Sequence, residues 1–369
     1  MSEATTPLKR TNLFDWHVAH GGRMVPFAGW EMPVQYPTGP KEEHHTTRNA
    51  AGLFDIDHMG QFSVGGPDAE AYFNHLTTWD VRQMKDNDAH YALMCYEDGG
   101  IVDDIYVYRL PGRWFVAVNA DNRAKDQAWM QAQAAGHNVT VTDVSDETYM
   151  LALQGPKAIH ILQKLTHVDM SSVPRFTIAE GKVNGIHSLI SRTGYTGEDG
   201  VELFFPAEEA LTMWEAILEV GQRQGIKPIG LAARDSLRFE PAFPLYGHEI
   251  AADITPIEAR LGWAVKFNTC FIGRDALLKQ KLEGPARLLV GFQMLDRSMP
   301  RQGYPVLHQN QVVGEVVAGV YAPTVDKSAG HAFVPTAIAT PGTPIQIQIR
   351  NKLKEAVIIR RPLYRPAYK

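Results

Sequence analysis

Two adjacent acids, Asp103 and Asp104, are the first side chains in the sequence that could do chemistry. They open the β-rich stretch DDIYVYRL, and successive side chains of a strand point to opposite faces. The pair therefore cannot act as a carboxylate dyad. Asp104 is predicted to share its face with Val102, Tyr106 and Tyr108. A carboxylate there is costly unless it is paired or used, and a solvated acid after the preceding Gly-Gly turn is the alternative.

Two arginines, Arg234 and Arg238, lie four residues apart in LAARDSLRFE, which is predicted to form a helix ended by Pro241. From one helix face they could bind an anion such as a substrate carboxylate. The alternative is that they pair with Asp235, Glu240 or acids on a neighbouring helix.

Three glycines, at positions 194, 197 and 200 of RTGYTGEDGVELFF, have a spacing that differs from the G-x-G-x-x-G dinucleotide fingerprint. The β-rich runs HSLISR and VELFF flank them, so no helix N-terminus is available to hold a phosphate. The pattern predicts a strand, a glycine-rich loop and a second strand, and a nucleotide loop is the disfavoured alternative. The sequence also lacks a Walker loop and a G-x-S-x-G elbow.

Metal and disulfide chemistry have little support. His44, His45 and His58 occur without H-E-x-x-H or a similar spacing. The two cysteines, Cys95 and Cys270, lie far apart and outside any C-x-x-C pattern, which favours a reducing compartment. We therefore expect neither a metal site nor a disulfide framework.

The composition limits the partners. The 369 residues are 44% hydrophobic and 21% charged, with a net charge of −5 and both signs mixed along the chain. This argues against a nucleic-acid or membrane partner and favours a small or protein ligand. No run of eighteen apolar residues occurs and the first residues carry no targeting pattern, so we expect a soluble cytoplasmic protein.

The elements that must position these residues follow from the periodicity. FSVGGPDAEAYFNHL and LALQGPKAIHILQKL are each predicted to form a short strand, a Gly-Pro and an amphipathic helix. A hairpin is expected around Pro111-Gly112. The stretch after Pro206 has helical apolar spacing at Leu211, Trp214, Ile217 and Leu218.

The last part of the chain has a different character. After Gly284-Pro285, strand-like alternation such as IQIQIR takes over, with a turn expected at Asn351-Lys352. Residues 285–369 are therefore predicted to form a separate all-β domain.

Six stretches, in this order, resemble the aminomethyltransferase family, the T-protein of the glycine cleavage system. They are GGRMVPFAGWEMPVQY, AGLFDIDHMGQ, GGIVDDIYV, LALQGP, RTGYTGEDGVEL and GLAARDSLRFE, the last followed by LYG. The resemblance implies an α+β, multidomain fold, with two α+β domains and a C-terminal all-β barrel or jelly-roll-like domain around a central cavity. We place the first α+β domain at residues 1–52 and 145–275, the second at 53–144, and the all-β domain at 285–369.

The resemblance also implies that the cavity holds tetrahydrofolate as co-substrate, with no metal and no nucleotide. Asp104 corresponds to the family's carboxylate beside the reacting folate nitrogens, and Arg234 to the arginine of ARDSLR near the cavity. Glu202 is expected to accept hydrogen bonds from the pterin, and the glycine-rich loop to aim Tyr195 and Glu202 into the cavity. The other residues that the resemblance places at the folate site are Met59, Tyr91, Asn119, Tyr246, Trp263 and Tyr368.

The implied reaction moves a one-carbon unit to tetrahydrofolate from an aminomethyl group, which is held as a thioether on the lipoyl arm of H-protein. Ammonia, 5,10-methylenetetrahydrofolate and the dihydrolipoyl carrier result. A carboxylate at the reacting nitrogens stabilises the positive charge that develops there, and folate and arm must meet in one cavity. Lipoylated H-protein is thus the expected partner, and basic residues are expected at the cavity mouth for the anionic glutamyl tail.

Two stretches depart from the family pattern. FDIDHMG has Asp57 where Ser is common, and EPAFPLYG has Pro241, Phe243 and Pro244 where the family has EAGLxLYG. Both are expected near the cavity, as neutral variation or as a change in the space for the one-carbon donor. Two other functions stay open: a tetrahydrofolate-dependent demethylase acting on a small methylated donor, and a non-catalytic folate-binding protein on the same scaffold.

Overall fold

The computed structural model describes residues 7–368, in which helices pack on two sheets and a barrel follows them in sequence. The helix after Pro206 is confirmed, with Trp214 and Ile217 buried and Leu211 exposed. The helices are α1 (Phe14–Ala19), α2 (Pro40–Asn49), α3 (Ala69–Leu76), α4 (Arg123–Gln133), α5 (Ala158–Leu162), α6 (Ala210–Gly221), α7 (Leu231–Phe239) and α8 (Arg274–Glu283).

A six-stranded sheet organises the first α+β unit. A small three-stranded sheet lies beside it, formed by β1 (Lys9–Arg10), β2 (Arg23–Phe27) and β3 (Trp30–Gln35). The six strands are β4 (Gly52–Asp55), β10 (Thr148–Gln154), β11 (Ile178–Val183), β12 (Ile186–Ser191), β13 (Gly200–Pro206) and β14 (Lys227–Pro228). Their order is β11-β12-β13-β10-β4-β14, and α5 and α6 pack on one face. Because β12 and β13 are antiparallel neighbours, the predicted strand, glycine-rich loop and strand are confirmed.

A five-stranded sheet forms the second unit. Its strands are β5 (Gly60–Gly65), β6 (Ala89–Cys95), β7 (Ile101–Leu110), β8 (Arg113–Val118) and β9 (Thr140–Asp143), in the order β6-β7-β8-β5-β9. The hairpin of β7 and β8 around Pro111-Gly112 is confirmed. Both predicted Gly-Pro junctions are also confirmed, since β5 leads into α3 and β10 into α5. The division of the chain into domains at 52/53 and 144/145 stays a prediction.

A β-bulge in β7 overturns one expectation. Met94 of β6 pairs with Asp103 whereas Cys95 pairs with Ile101, so Val102 is an extra residue without a partner. The bulge turns Val102 to the face of Ile105 and Val107, where it packs under α3 and α4. The prediction that Asp104 shares its face with Val102 is therefore wrong.

The two sheets pack face to face through aromatic side chains. Phe204 of β13 lies edge-on to Tyr108 and Phe115 of the five-stranded sheet, with ring centroids 5.7 and 5.1 Å away. This shared core also includes Leu237 of α7. This packing brings together the ends of β7 and β13 that face the cavity described in the next subsection.

The C-terminal part is a closed six-stranded barrel in which every pairing is antiparallel, so the predicted all-β domain is confirmed. The strands are β15 (Arg287–Met294), β16 (Pro305–His308), β17 (Gln311–Ala322), β18 (Lys327–Pro335), β19 (Pro344–Ile349) and β20 (Lys352–Ile359). The last turn is one residue earlier than expected, at Arg350 and Asn351, because Lys352 already pairs with Ile349.

A buried ion network joins the α+β units to the barrel. Arg48 of α2 donates to Glu198 of the glycine-rich loop at 2.9 Å and to Glu240, after α7, at 2.8 Å. The Glu240 carboxylate also accepts the backbone N–H of Thr324, in the turn after β17, at 2.9 Å. All three charged side chains are buried, so their charges must compensate one another.

Arg48→Met should lower the free energy of unfolding by about 3–5 kcal/mol, because two buried carboxylates lose their cation. Urea unfolding measures this loss. The control is Arg10→Met, which removes the exposed ion pair with Glu31 and should cost about 1 kcal/mol or less. Equal small losses in both variants would contradict the role given to the network.

Candidate active site

A cavity of about 1030 Å³ lies between the two sheets, α7 and one rim of the barrel. Its wall is mostly apolar and aromatic, with a few acids and several arginines. Of the predicted catalytic and folate-binding residues, those in the wall are Met59, Tyr91, Asp104, Asn119, Tyr195, Glu202, Arg234 and Trp263. The fold therefore gathers, from positions 59 to 263, eight of the ten predicted site residues in one space.

Asp104 lies in this wall on the same face of β7 as Tyr106 and Tyr108, as predicted. Asn119, the residue after β8, donates its side-chain amide to Asp104 Oδ1 at 2.7 Å. Burial, and after it the charge of Asp103, raises the pKa of Asp104 to about 7. Its carboxyl group can therefore hold or release a proton near neutral pH.

Glu202 is a second acid in the cavity wall and comes from β13, opposite Ser191 of β12 and Ala152 of β10. The Thr193 hydroxyl donates a hydrogen bond to its carboxylate. Burial raises the pKa of Glu202, and the Thr193 bond and the nearby charge of Arg234 oppose that rise. The side chain is a buried acceptor with access to the cavity, suited to a ligand that carries N–H groups.

The glycine-rich loop packs tightly against its neighbours. A Cβ atom at Gly194 would lie 2.0 Å from Gln154 Oε1, and one at Gly200 would lie 2.3 Å from the Leu153 carbonyl oxygen. The backbone clash means that only glycine fits at position 200, and a side chain at position 194 would displace the Gln154 amide. The loop thereby presents Tyr195 to the cavity, where its hydroxyl donates to the Pro244 carbonyl and its ring lies 4.8 Å from the Arg234 guanidinium.

The two arginines of α7 have different surroundings. Arg238 is buried and pairs with Glu249 at 2.7 Å and Asp235 at 2.8 Å, so it is not available to a ligand. Arg234 faces the cavity, and among residues 7–368 no carboxylate lies within ion-pair distance of it; its Nη2 lies 3.8 Å from Met59 Sδ. The hypothesis of a two-arginine anion site is wrong, because the Arg238 guanidinium forms its ion pair with Glu249, eleven residues further along the chain.

Two predicted site residues lie outside the cavity wall. Tyr246 donates its hydroxyl to the Ile101 carbonyl at 3.1 Å, and the Lys125 ammonium lies 3.8 Å from its ring. Tyr368 lies on the outer side of the glycine-rich loop, where its hydroxyl donates to Glu198 and accepts the Asp199 N–H at 3.1 Å. Tyr368 thus supports the loop from behind.

The two departures from the family pattern have different positions. Pro241, Phe243 and Pro244 are part of the cavity wall, as expected. Asp57 is not in it, because its carboxylate turns away to accept the Met150 N–H at 3.2 Å. Burial, and after it the charge of Asp55, raises the pKa of Asp57 to about 9.

His44 and Cys95 lie in the protein interior, whereas Cys270 is exposed. His44 is buried, with hydrogen bonds to Ser236 at 2.8 Å and to Thr324 at 2.9 Å, and Cys95 is a buried free thiol. Within the described part of the chain, no cluster of three or more His, Cys, Asp or Glu side chains is arranged to hold a metal ion. None of the helices in residues 7–368 is long and apolar enough to cross a membrane.

The cavity wall also contains residues that the sequence did not single out. Trp79, His90 and Phe176 add aromatic surface around β6. Arginines from the barrel side and from the loops before β11 and β13 line the rim, namely Arg175, Arg192, Arg260, Arg360, Arg361 and Arg365. The run IRRPLYR near the C-terminus was the available signal for the last three.

The two arginines of α7 should differ in their effect on stability. Arg238→Met should lower the free energy of unfolding by about 3–5 kcal/mol, since it leaves Glu249 buried without its guanidinium partner. Arg234→Met removes a charge that has no carboxylate partner and should change it by about 1 kcal/mol or less. Urea unfolding of both variants checks this, and a larger loss for Arg234→Met would contradict the assignment.

Comparison with known proteins gives a consistent result. The model described as the GCVT N-terminal domain matches residues 13–269, and that of the glycine cleavage T-protein C-terminal barrel domain matches residues 287–365. The chain is 48% identical to an aminomethyltransferase of Alkaliphilus oremlandii, over 97% of this chain and 98% of that protein. It is also 48% identical to an aminomethyltransferase of Symbiobacterium thermophilum, over 98% and 99%.

A solved structure with the same architecture is the glycine cleavage system aminomethyltransferase T from Bartonella henselae. It superposes with a TM-score of 0.92 at 33% sequence identity, covering 97% of this chain and 99% of that one. Similarity on this scale extends across both α+β units and the barrel.

Proposed function

The chain belongs to the glycine cleavage T-protein family and is an aminomethyltransferase, and from this we propose that its cavity brings tetrahydrofolate together with the aminomethyl-lipoyl arm of H-protein. The family is folate-dependent, which supports tetrahydrofolate as the co-substrate. The observation that carries the proposal is the pair of recessed acids, Asp104 and Glu202, in the wall of one cavity of about 1030 Å³. Our proposed location for the protein is the cytoplasm.

The proposed reaction exchanges two bonds at one methylene carbon. Two folate N–H groups are replaced by C–N bonds, while the C–S bond to the lipoyl arm and the C–N bond to the amino group break. The two protons go to sulfur and nitrogen, so a dihydrolipoyl thiol, ammonia and 5,10-methylenetetrahydrofolate are the products. Positive charge develops at the carbon and nitrogens on the way, which a fixed carboxylate stabilises most in a site with little water.

Each residue has a defined task in this proposal. Asp104 faces the reacting nitrogens, and Asn119 fixes its orientation through the 2.7 Å bond. Glu202 accepts hydrogen bonds from the pterin, held in place by Thr193. Arg234 provides a positive charge with no carboxylate partner among the described residues, available to balance Glu202 and the ligand.

The demethylase and the non-catalytic folate-binding protein are not favoured. The chain resembles aminomethyltransferases along 97% or more of its length, and both acids of the motifs are present in the cavity. Pro241, Phe243 and Pro244 lie in the wall, and the Phe243 ring stacks on that of Tyr195 at 6.0 Å. We assign them to local variation within the same reaction.

The experiment that tests the function is single-turnover formation of 5,10-methylenetetrahydrofolate from tetrahydrofolate and aminomethyl-loaded H-protein. Lipoyl-free H-protein is the control. Product that forms only with the loaded arm supports the proposal. Absence of product with folate still bound contradicts it, and methylated amines and thioethers would then be tested as donors.

Asp104→Asn should keep tetrahydrofolate binding and lower the single-turnover rate by about 10²-fold or more, as when a preorganised electrostatic group is removed. The raised pKa of Asp104 gives the wild-type rate a pH dependence. The ionised form increases through about pH 7, so the rate should rise with a midpoint near that value, and this step should be absent in the variant. Near-normal turnover of the variant would show that Asp104 is not the central carboxylate.

Glu202→Gln should instead weaken tetrahydrofolate binding by about tenfold, because the pterin N–H groups lose a charged acceptor. The dissociation constant, measured by calorimetry, checks this. Thr148→Ser, a change at the far end of the paired strand β10, is the control and should leave affinity unchanged. Unchanged affinity in Glu202→Gln would place the pterin elsewhere.

A further inference from the structure

A second carboxylate, Asp103, lies directly behind Asp104 and has no task in the transfer described above. It is completely buried, on the opposite face of β7. The Asn122 amide donates to its Oδ1 at 2.7 Å and the Asn119 amide at 2.9 Å. Asp103 is therefore a hydrogen-bond acceptor held at a fixed position away from the cavity.

Asn119 connects the two carboxylates. Its Nδ2 donates to Asp104 Oδ1 at 2.7 Å and to Asp103 Oδ1 at 2.9 Å, so one amide group is shared by both acids. Its backbone N–H also points to Asp103 Oδ2, at 3.4 Å. Asp103 thus fixes the rotation of the amide, and the amide fixes the carboxylate of Asp104.

Two further titratable side chains, Asp126 and Lys125, lie near Asp103. Asp126 of α4 is fully buried, and its carboxyl group lies within hydrogen-bond reach of Asp103. Burial, and after it the charge of Asp103, raises the pKa of Asp126 to about 11, so that it is neutral at pH 7. Lys125 is the nearby cation, and it donates to the Val102 carbonyl at 2.5 Å.

A carboxylate at this position accepts the hydrogen bonds that Asn119 and Asn122 donate, but it also places a second acid beside Asp104. Two recessed carboxylates that share one donor repel each other, and an amide in place of Asp103 would remove that repulsion. The titratable and charged groups near Asp104 are Tyr91, Asp103, Tyr106, Lys125, Asp126 and Tyr195. Asp103 is the one among them whose charge acts on Asp104 most strongly.

We propose that Asp103 is a positioning residue for the transfer, which fixes the Asp104 carboxylate toward the cavity through the shared amide of Asn119. This inference rests on the proposed role of Asp104. Without the charge of Asp103, Asp104 would ionise at lower pH, and the Asn119 amide that orients Asp104 would be held by a weaker, uncharged acceptor.

The test is the pH dependence of the single-turnover rate in Asp103→Asn, with tetrahydrofolate affinity measured alongside. The midpoint should move down by about one pH unit, because the like charge is gone. The rate on the plateau should fall about tenfold from poorer alignment, with folate affinity little changed. Asp143→Asn, which weakens an ion pair with Arg123 at the other edge of the sheet, is the control for stability and should leave the midpoint unchanged.

A second variant keeps the inference testable if Asp103→Asn does not fold. Lys125→Met retains the side-chain stem over Tyr246 and removes the cation near the three acids, so the midpoint should move up. An unchanged midpoint in the folded variants overturns the inference. Normal turnover in Asp104→Asn would contradict the proposed function of Asp104 itself. If Asp104→Asn is inactive but the midpoint is unchanged in the Asp103 and Lys125 variants, only the role of Asp103 is contradicted.

Discussion

The buried carboxylate of Glu240 is the interaction on which the rest of the structure depends. It accepts hydrogen bonds from Arg48 of α2 and from both the N–H and the hydroxyl of Thr324 in the barrel, at 2.7–2.9 Å. Its backbone carbonyl accepts the N–H groups of Leu363 and Tyr364 at 2.8 and 3.1 Å. One residue at the end of α7 thereby joins the first helices, the barrel and the C-terminal segment.

The hydrogen bonds and ion pairs of Glu240 must all be present together in the folded protein. Burial alone would raise the pKa of Glu240, but its bonds to His44 and Arg48 hold it at about 2, so it stays charged in the folded protein. A buried charge that loses one partner is strongly destabilising, so partial docking of the barrel is disfavoured. The walls of the cavity come from the same elements, and its shape is therefore set by the network.

In the cavity wall, by contrast, the charges of the buried side chains are only partly compensated. Asp104 and Glu202 are desolvated with only part of their charge compensated, and Arg234 has no carboxylate partner among the described residues. Buried charges without a partner lower the stability of the protein unless a bound ligand compensates them. Such uncompensated charges are common at functional sites. The distinction between Arg238, paired with Glu249, and Arg234 separates the structural part of α7 from its functional part.

Much of this could be predicted from the sequence because the signals are local. Alternation gave the hairpin of β7 and β8 and the strands on either side of the glycine-rich loop, and family motifs placed Asp104, Glu202 and Tyr195 in one cavity wall. The failures depend on tertiary contacts. The bulge at Val102 requires knowledge of the pairing with β6, and the position of Tyr246 depends on Ile101 and Lys125, far away in sequence.

The roles of the acids behind the cavity were also beyond sequence reasoning. The alternation of a strand separates Asp103 from Asp104, as predicted, but it does not reveal that Asn119 bridges them around the strand. Nor does it show that Asp126 enters the same region from α4. These contacts join residues fifteen or more positions apart in the chain, and only the packed structure brings them together.

The central claim is that Asp104 lies at the reacting nitrogens of a folate whose pterin is bound by Glu202. A crystal structure of the protein with tetrahydrofolate tests it most directly. In that structure the pterin N–H groups should lie within hydrogen-bond distance of the Glu202 carboxylate, and the reacting nitrogens should lie beside Asp104. A pterin bound instead at the arginine-lined rim of the barrel, with Asp104 facing only water, would contradict it.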